Sequence, residues 1–504
     1  MLTSHIAMAR DALALGALIL GLAAPAGLSF AEEAAHPVEA ARAAPATNKL
    51  PGVSTTDQSI EIGGRVLHFK ATLGALPVKD PHSGDVQAEV AYRAYSVEPE
   101  AGRACRPVAF IFNGGPGSGS AWLDLGALGP WRLPLAGAVP STPPLVQDNQ
   151  ESWLDFADLV FIDPPGTGFS RLASGEAARK RLWAVDGDID MLARLIRQWT
   201  QQAKKLDCPK YLVGESYGGF RAPKVARALQ EQENIGVDGL ILISPVLDFS
   251  WIEGRNSPLV EAARLPSLAA SHAAAKDRAA LAGAENYARG EYLADVLRGP
   301  RDAAALERLT EKVSKLTGLP AEKVRRLNGR IGMEDWAYES DPSGKTLASL
   351  YDGQARGASA EPGRKPGEWS DPVLDAARAP LASAMASLTI GRLKWPVEDA
   401  PYEILNDHVS QSWDWQRGRR GQEATSDLRR ALALDPRVKV LVAQGLYDLV
   451  TPYFAMVLQL DLLPTIGAPD RIAFLAEPGG HMFYAQDASR AALRDAARKL
   501  IKGE

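Results

Sequence analysis

Cysteine is almost absent from this sequence: among 504 residues only Cys105 and Cys208 carry a thiol. A scaffold of several disulfides and a zinc site built on several cysteines are both excluded. Histidine is scarce too. His5, His36, His68, His82, His272, His408 and His481 form no ligand-spaced cluster, and no H-E-x-x-H helix occurs. Neither a metal nor any other cofactor is expected. Charge of one sign is not in excess either, with a net charge of −5 at pH 7. That balance offers nothing to nucleic acid, and Arg417-Gly418-Arg419-Arg420 reads as a solvated surface segment. The apolar stretch Ala12 to Ala24 is shorter than the roughly 20 residues of a typical membrane-spanning helix.

What is present is ordinary globular composition, 46% hydrophobic and 23% charged, with material for a large core. The chain starts with His5 and Arg10 in a short polar segment, although Asp11 does not suit one, followed by the apolar stretch and then Ser29-Phe30-Ala31. This order reads as an export signal over residues 1–31. Its removal leaves an exported protein, periplasmic or secreted, with no stable membrane span; an uncleaved anchor is the alternative. The first cysteine, Cys105, lies too far along for a lipid-anchored lipoprotein. Residues 32–56, rich in Ala and Pro, read as a flexible linker.

From Ile60 the pattern turns to strands. Gly63-Gly64 sits between Ile60, Ile62 and Val66, His68, Lys70 as a hairpin turn, and Val90 to Tyr95 continues the alternation. Short apolar runs follow at 108–112, 159–162, 211–213 and 240–243, as expected of parallel strands buried on both faces. A helix capped by Asp186 or Asp188, with Ile189, Leu192, Ala193, Ile196 and Trp199 on one face, separates the second and third. Strand–helix–strand alternation predicts an α/β fold around a parallel sheet. The chain from 250 to 435 is Ala-rich and mostly helical, with a Gly/Pro/Ser-rich break at 353–367. Strands return at 438–443 and 472–475, and a closing helix buries Leu493, Ala497, Leu500 and Ile501. One sheet domain, 57–249 and 436–504, is interrupted by a helical insertion, 250–435. Trp251, Trp336, Trp395, Trp413 and Trp415 either line a pocket or belong to a core.

The third apolar run leads directly into Gly214-Glu215-Ser216-Tyr217-Gly218, the strand–turn–helix pattern that lifts a serine hydroxyl off a sheet. Nucleophilic serine catalysis also needs a histidine to take the proton and a carboxylate to orient it. Asp448 follows the strand 438–443, and His481 follows the strand 472–475, both past C-terminal strand ends where open sheets bind ligands. Each alone reads as a turn or structural residue. Together they stand in the order Ser216, Asp448, His481. Asn113-Gly114-Gly115-Pro116-Gly117-Ser118 after the first apolar run suits an oxyanion loop, with backbone N–H groups from Gly115 and Tyr217. It lacks the Lys-Ser/Thr of a phosphate loop; a plain flexible turn is the other reading.

These blocks resemble the serine carboxypeptidases over Val108 to Leu500. They comprise Asn113 to Ser118, then Asn149, Ser152, Trp153 and Asp163 to Ser170, then Gly214 to Gly219 with Pro223 and Ala226. Gly445-x-x-Asp448 and Gly480-His481-Met482 complete the likeness. The resemblance implies an α/β-hydrolase fold with a mostly parallel central sheet, the helical insertion serving as a cap over the site. It implies a triad of Ser216, Asp448 and His481, and release of C-terminal residues from peptides with a free C-terminus through an acyl-enzyme. In that family the substrate carboxylate is held by the counterparts of Asn113, the Gly114 N–H and Glu215. A buried Glu215 must be protonated to donate, so activity at mildly acidic pH is expected. One departure stands out: Ala127 replaces a second glutamate that normally bonds the first, with Asp124 the nearest substitute. Arg221 replaces a tyrosine and is expected to alter the pocket. The topology of such folds puts Cys105 and Cys208 on neighbouring strands in similar register, as a disulfide or two buried thiols. The alternatives to a carboxypeptidase are an esterase or acyltransferase on the same triad, or a catalytically silent binding protein.

Overall fold

Gly63 and Gly64 close a tight hairpin between β1 (Ser54–Ile62) and β2 (Arg65–Lys79), in which Ile62 pairs with Arg65. The computed structural model describes residues 49–503 apart from 99–104, 136–145, 174, 255, 359–369, 398–399 and 417. The expected export signal, 1–31, and the linker as far as residue 48 lie outside the described residues. β1 begins at Ser54, within the last residues read as linker, because its alternating side chains put Ile60 and Ile62 into the core.

β3 (Val86–Ser96) runs antiparallel to β2 and is followed by β4 (Val108–Phe112) and β5 (Asp158–Ile162). Then come β6 (Lys210–Glu215), β7 (Gly239–Ile243), β8 (Lys439–Gly445) and β9 (Ile472–Glu477). Their spatial order is β1-β2-β3-β5-β4-β6-β7-β8-β9. β5 is antiparallel to β3, and from β5 to β9 every neighbouring pair is parallel. This is the mostly parallel sheet of an α/β-hydrolase. β4, β5 and β7 are buried along their whole length, which explains their unbroken apolar runs.

Helices cover both faces. α1 (Val185–Gln202) buries the expected Ile189, Leu192, Ala193, Ile196 and Trp199 on one face, together with Phe220, Val225 and Leu229 of α2 (Tyr217–Gln232). Neither Asp186 nor Asp188 caps α1, which already starts at Val185. Asp188 is buried in the first turn, where its Oδ2 accepts a 2.6 Å bond from Arg221 Nε. Arg221 does not reach the pocket its position suggested. Its helical site on α2 points it inward, where Nη1 donates to the Asn113 carbonyl at 2.5 Å and the guanidinium lies 4.7 Å from the centre of the Tyr217 ring. One cation thus joins α1, α2 and the end of β4.

Between β7 and β8 the chain is mainly helical, including α3 (Pro258–Ala273), α4 (Ala303–Thr317) and α5 (Leu374–Ser387), with a small hairpin pairing Thr346–Ala348 and Arg356–Ala358. Leu265, Leu309, Val313 and Trp336 pack with Tyr453 and Phe454 beyond β8. Leu381, Met385 and Trp395 join the core on one face of the sheet, and Val409, Trp413 and Leu428 the core on the other. Of the tryptophans singled out, Trp336, Trp395 and Trp413 are buried in the cores, Trp415 is half-buried against the same core as Trp413, and Trp251 is half-buried outside them. A closing helix, α6 (Asp487–Lys502), buries Leu493, Ala497 and Ile501, with Leu500 half-buried against them.

Cys105 and Cys208 form a disulfide at the N-terminal ends of β4 and β6, where Val108 pairs with Lys210. The bridge closes a loop of 103 residues, so its removal releases much chain entropy on unfolding. Replacing both cysteines by serine is expected to lower stability by about 2–5 kcal/mol, read from urea denaturation against the oxidised protein. Arg221→Met strands the Asp188 carboxylate in the core and is expected to lose about 3–5 kcal/mol; a partner change Asp188→Leu should recover part of it in the same assay.

Candidate active site

β6 passes into α2 at Ser216, whose φ of 59° and ψ of −122° are rare for a residue with a side chain. The turn is tight enough that a Cβ on Gly214 would stand 2.0 Å from the Gly218 carbonyl oxygen. Strand end and helix start therefore press together, and the serine between them is exposed to a cavity of about 130 Å³.

Asp448 and His481 come from the ends of β8 and β9. Asp448 is fully buried: its Oδ1 accepts the N–H groups of Val450 and Thr451 at 2.9 Å, and its Oδ2 accepts Thr451 Oγ1 at 2.6 Å and His481 Nδ1 at 2.7 Å. The His481 backbone is held at both ends, its N–H by the Tyr351 carbonyl at 2.5 Å and its carbonyl by Ser244 Oγ at 2.7 Å. The Tyr351 ring stands edge-on to the imidazole at 5.4 Å. Burial disfavours the imidazolium, but the Asp448 charge and hydrogen bond outweigh it and raise the His481 pKa. Ser216 and His481 line the same cavity with no hydrogen bond between them; such bonds commonly tighten only with substrate in place.

The loop after β4 lies directly over the elbow. A Cβ on Gly114 would come within 2.6 Å of the Tyr217 nitrogen and 2.8 Å of Ser216 Cβ, so only glycine lets the two segments approach. Gly115 and Tyr217 both line the cavity, and neither backbone N–H is spent on an acceptor among the described residues.

Next to the serine, Glu215 is buried without a cation. Its carboxyl is bonded by the Asn113 side-chain amide and by Tyr484, whose hydroxyl lies 2.9 Å from Oε1 and 3.1 Å from Oε2. Asn113 is itself fixed, its Oδ1 accepting the Leu123 N–H at 3.2 Å. Burial, reinforced by the nearby Asp448 charge, pushes the Glu215 pKa up to about 7 against the opposing pull of His481, Tyr484 and Asn113.

Ala127 is buried and supplies no carboxyl. Asp124 does not replace one, since its Oδ2 is taken by Arg93 at 2.8 Å and Tyr95 at 3.3 Å. Tyr484 makes the second bond instead. Its ring lies beside Gly126, 2.9 Å from where a Cβ there would stand. Its place three residues after His481 was the available signal.

Arg419 is exposed, as its segment reads, and also borders the site. It lines the cavity, with Nε 2.7 Å from Glu253 and its guanidinium over the rings of Trp415 at 5.0 Å and Phe249 at 5.1 Å. Trp122, Thr451 and Tyr351 were also not singled out by the sequence, because nothing local marks them.

The sequence model of the serine carboxypeptidase family matches residues 85–251, a span that holds Asn113, Glu215 and Ser216. A pheromone-processing carboxypeptidase of Neosartorya fischeri is 32% identical over 124 residues, 24% of this chain and 18% of the relative. One from Yarrowia lipolytica is 29% identical over 168 residues, 32% of this chain and 26% of the relative. The chain thus spans about a fifth to a quarter of the length of these curated relatives. Among solved structures, a prohormone-processing carboxypeptidase of Saccharomyces cerevisiae superposes with a TM-score of 0.55 at 16% identity, covering 86% of this chain and 91% of that one; this likeness bears on the fold alone. The match that takes in the elbow and the oxyanion loop makes this chain similar to the serine carboxypeptidases over residues 85–251.

Proposed function

We propose that this chain is an exported serine-type carboxypeptidase that removes C-terminal residues from peptides. The observation that carries the reading is Glu215, a buried carboxyl adjoining the serine and held by Asn113 and Tyr484 in one cavity. The curated relatives described as pheromone-processing carboxypeptidases add support. Ser216 Oγ attacks the scissile carbonyl as its proton passes to His481 Nε2, while Asp448 holds Nδ1. The N–H groups of Gly115 and Tyr217 receive the developing oxyanion. His481 then gives the proton to the departing amine, leaving an acyl-Ser216 that water hydrolyses by the same steps in reverse. Asn113, the Gly114 N–H and protonated Glu215 hold the substrate's terminal carboxylate. The disulfide suits an oxidising compartment outside the cytosol.

Glu215 and His481 share this cavity, and each affects the other's proton. The productive form has neutral His481 and protonated Glu215. An arriving carboxylate disfavours ionised Glu215 and so favours that form. Ala127, which removes the usual second carboxyl, favours a second reading: an esterase or acyltransferase on the same groups.

An N-blocked dipeptide, its C-terminal amide and a simple acyl ester separate these readings, with Ser216→Ala as control. The free acid is expected to be preferred by wild-type protein. Turnover of the ester alone would favour the second reading, and failure to react with a serine-directed phosphonate would remove both. For the free acid, kcat/KM is expected to fall as pH rises through about 7, where Glu215 loses its proton. Glu215→Gln, which cannot ionise, should abolish that alkaline decline; a decline that persists unchanged argues against Glu215 as donor.

A further inference from the structure

The cavity has two ends, defined by the strands beside the nucleophile. On one side of β6, the end of β4 carries Asn113 and, further on, Trp122. On the other side, the end of β7 carries Val246, Phe249 and Ile252. The cores beneath separate in the same way. Trp122, Met482 and Tyr484 pack into the core on one face of the sheet, whereas Tyr217, Val246 and Phe249 pack into that on the other. A peptide whose terminal carboxylate reaches Asn113 and Glu215, with its scissile carbonyl over Ser216, must lay its preceding residue toward Val246, Phe249 and Ile252.

Arg419 stands at that second end. It is the permanent cation among the residues lining the cavity. The rings of Phe249 and Trp415 support its guanidinium from below, and Glu253 engages Nε at 2.7 Å. That ion pair lies at Nε and leaves the two Nη groups with no acceptor among the described residues. Glu253 does not cancel the charge, because Arg420 also faces it. A guanidinium fixed in this way presents a pair of donors matched to a carboxylate.

We propose that Arg419, with Phe249 and Ile252, forms the subsite for the residue preceding the scissile bond and selects an acidic side chain there. The proposal rests on the reading above, in which the terminal carboxylate lies at Asn113 and Glu215 and so sets which end of the cavity takes the acyl side. Substrates with lysine at that position meet a like charge and are turned over more slowly; neutral residues fall between.

Methyl esters of N-blocked glutamate, glutamine and lysine test the subsite, since they have an acyl-side residue and no terminal carboxylate. Wild-type protein is expected to favour the glutamate ester over the lysine ester by roughly fivefold or more in kcat/KM, with the advantage shrinking at raised salt. Arg419→Gln should remove the preference between the glutamate and lysine esters. Arg419→Glu should invert it, and Glu253→Gln, which releases the guanidinium, should enlarge it. Equal turnover of all three esters by wild-type protein, or a preference intact in Arg419→Gln, overturns the proposal. The N-blocked dipeptides keep the two readings apart: an ester preference without dipeptide cleavage removes the carboxypeptidase and retains the subsite. Dipeptide cleavage with no acyl-side preference does the reverse, and no turnover of either series overturns both.

Discussion

A carboxyl group buried beside the nucleophile, with an amide and a phenol for partners, is the constraint around which this site is built. Desolvation penalises its charge, and no cation among its bonded partners compensates. Glu215 is therefore poised between two protonation states near neutrality. Its neighbours must be hydrogen-bonding groups that tolerate both: an amide from the end of β4 and a hydroxyl from the turn after β9. The position of the loop over the elbow and the loss of any side chain at Gly114 leave room for this arrangement.

Elsewhere beneath the site, charge is handled in the opposite way. Arg93 lies buried between Asp124 and Asp163, 2.8 Å from each, and Asp163 also accepts Ser120 and the Tyr402 hydroxyl. Arg221 is paired with Asp188 under the elbow. These ions are paired inside the fold and act as rigid supports for the oxyanion loop and the start of α2. The contrast separates the ion-paired groups that support the site from the carboxyl within it that has no cation bonded to it.

Much of this was legible in the sequence because it is local. β4, β5, β6 and β7 each appear as a short apolar run, since strands buried on both faces need no polar alternation. The elbow appears as glycines around a serine, and Asp448 and His481 appear as polar residues just beyond strand ends. What escaped is what depends on distant segments meeting. Tyr484 reaches Glu215 across 269 positions of chain, and no periodicity announces that contact. Arg221 occupies a motif position that suggested the pocket, yet the helix turns it toward Asp188. Asp188 in turn looked like a cap because acidic residues favour a helix start, whereas burial beside an arginine holds it one turn deeper. Arg419 sits among glycine and arginine in an exposed segment, as that composition describes, and nothing local announces the aromatic rings beside it.

The disulfide lies at the end of the sheet away from the chemistry, yet it bears on the alignment there. β4 contributes five residues and β6 six, so few ladder bonds resist a shift of one strand along the other. A slip by a single position would displace Asn113 along the strand direction by about 3.3 Å relative to Ser216 and turn alternate side chains to the wrong face. Joining Cys105 to Cys208 ties the two starting points covalently. The height of the oxyanion loop over the nucleophile is thereby gauged from the far end of the sheet, as two rulers clamped at zero agree along their length.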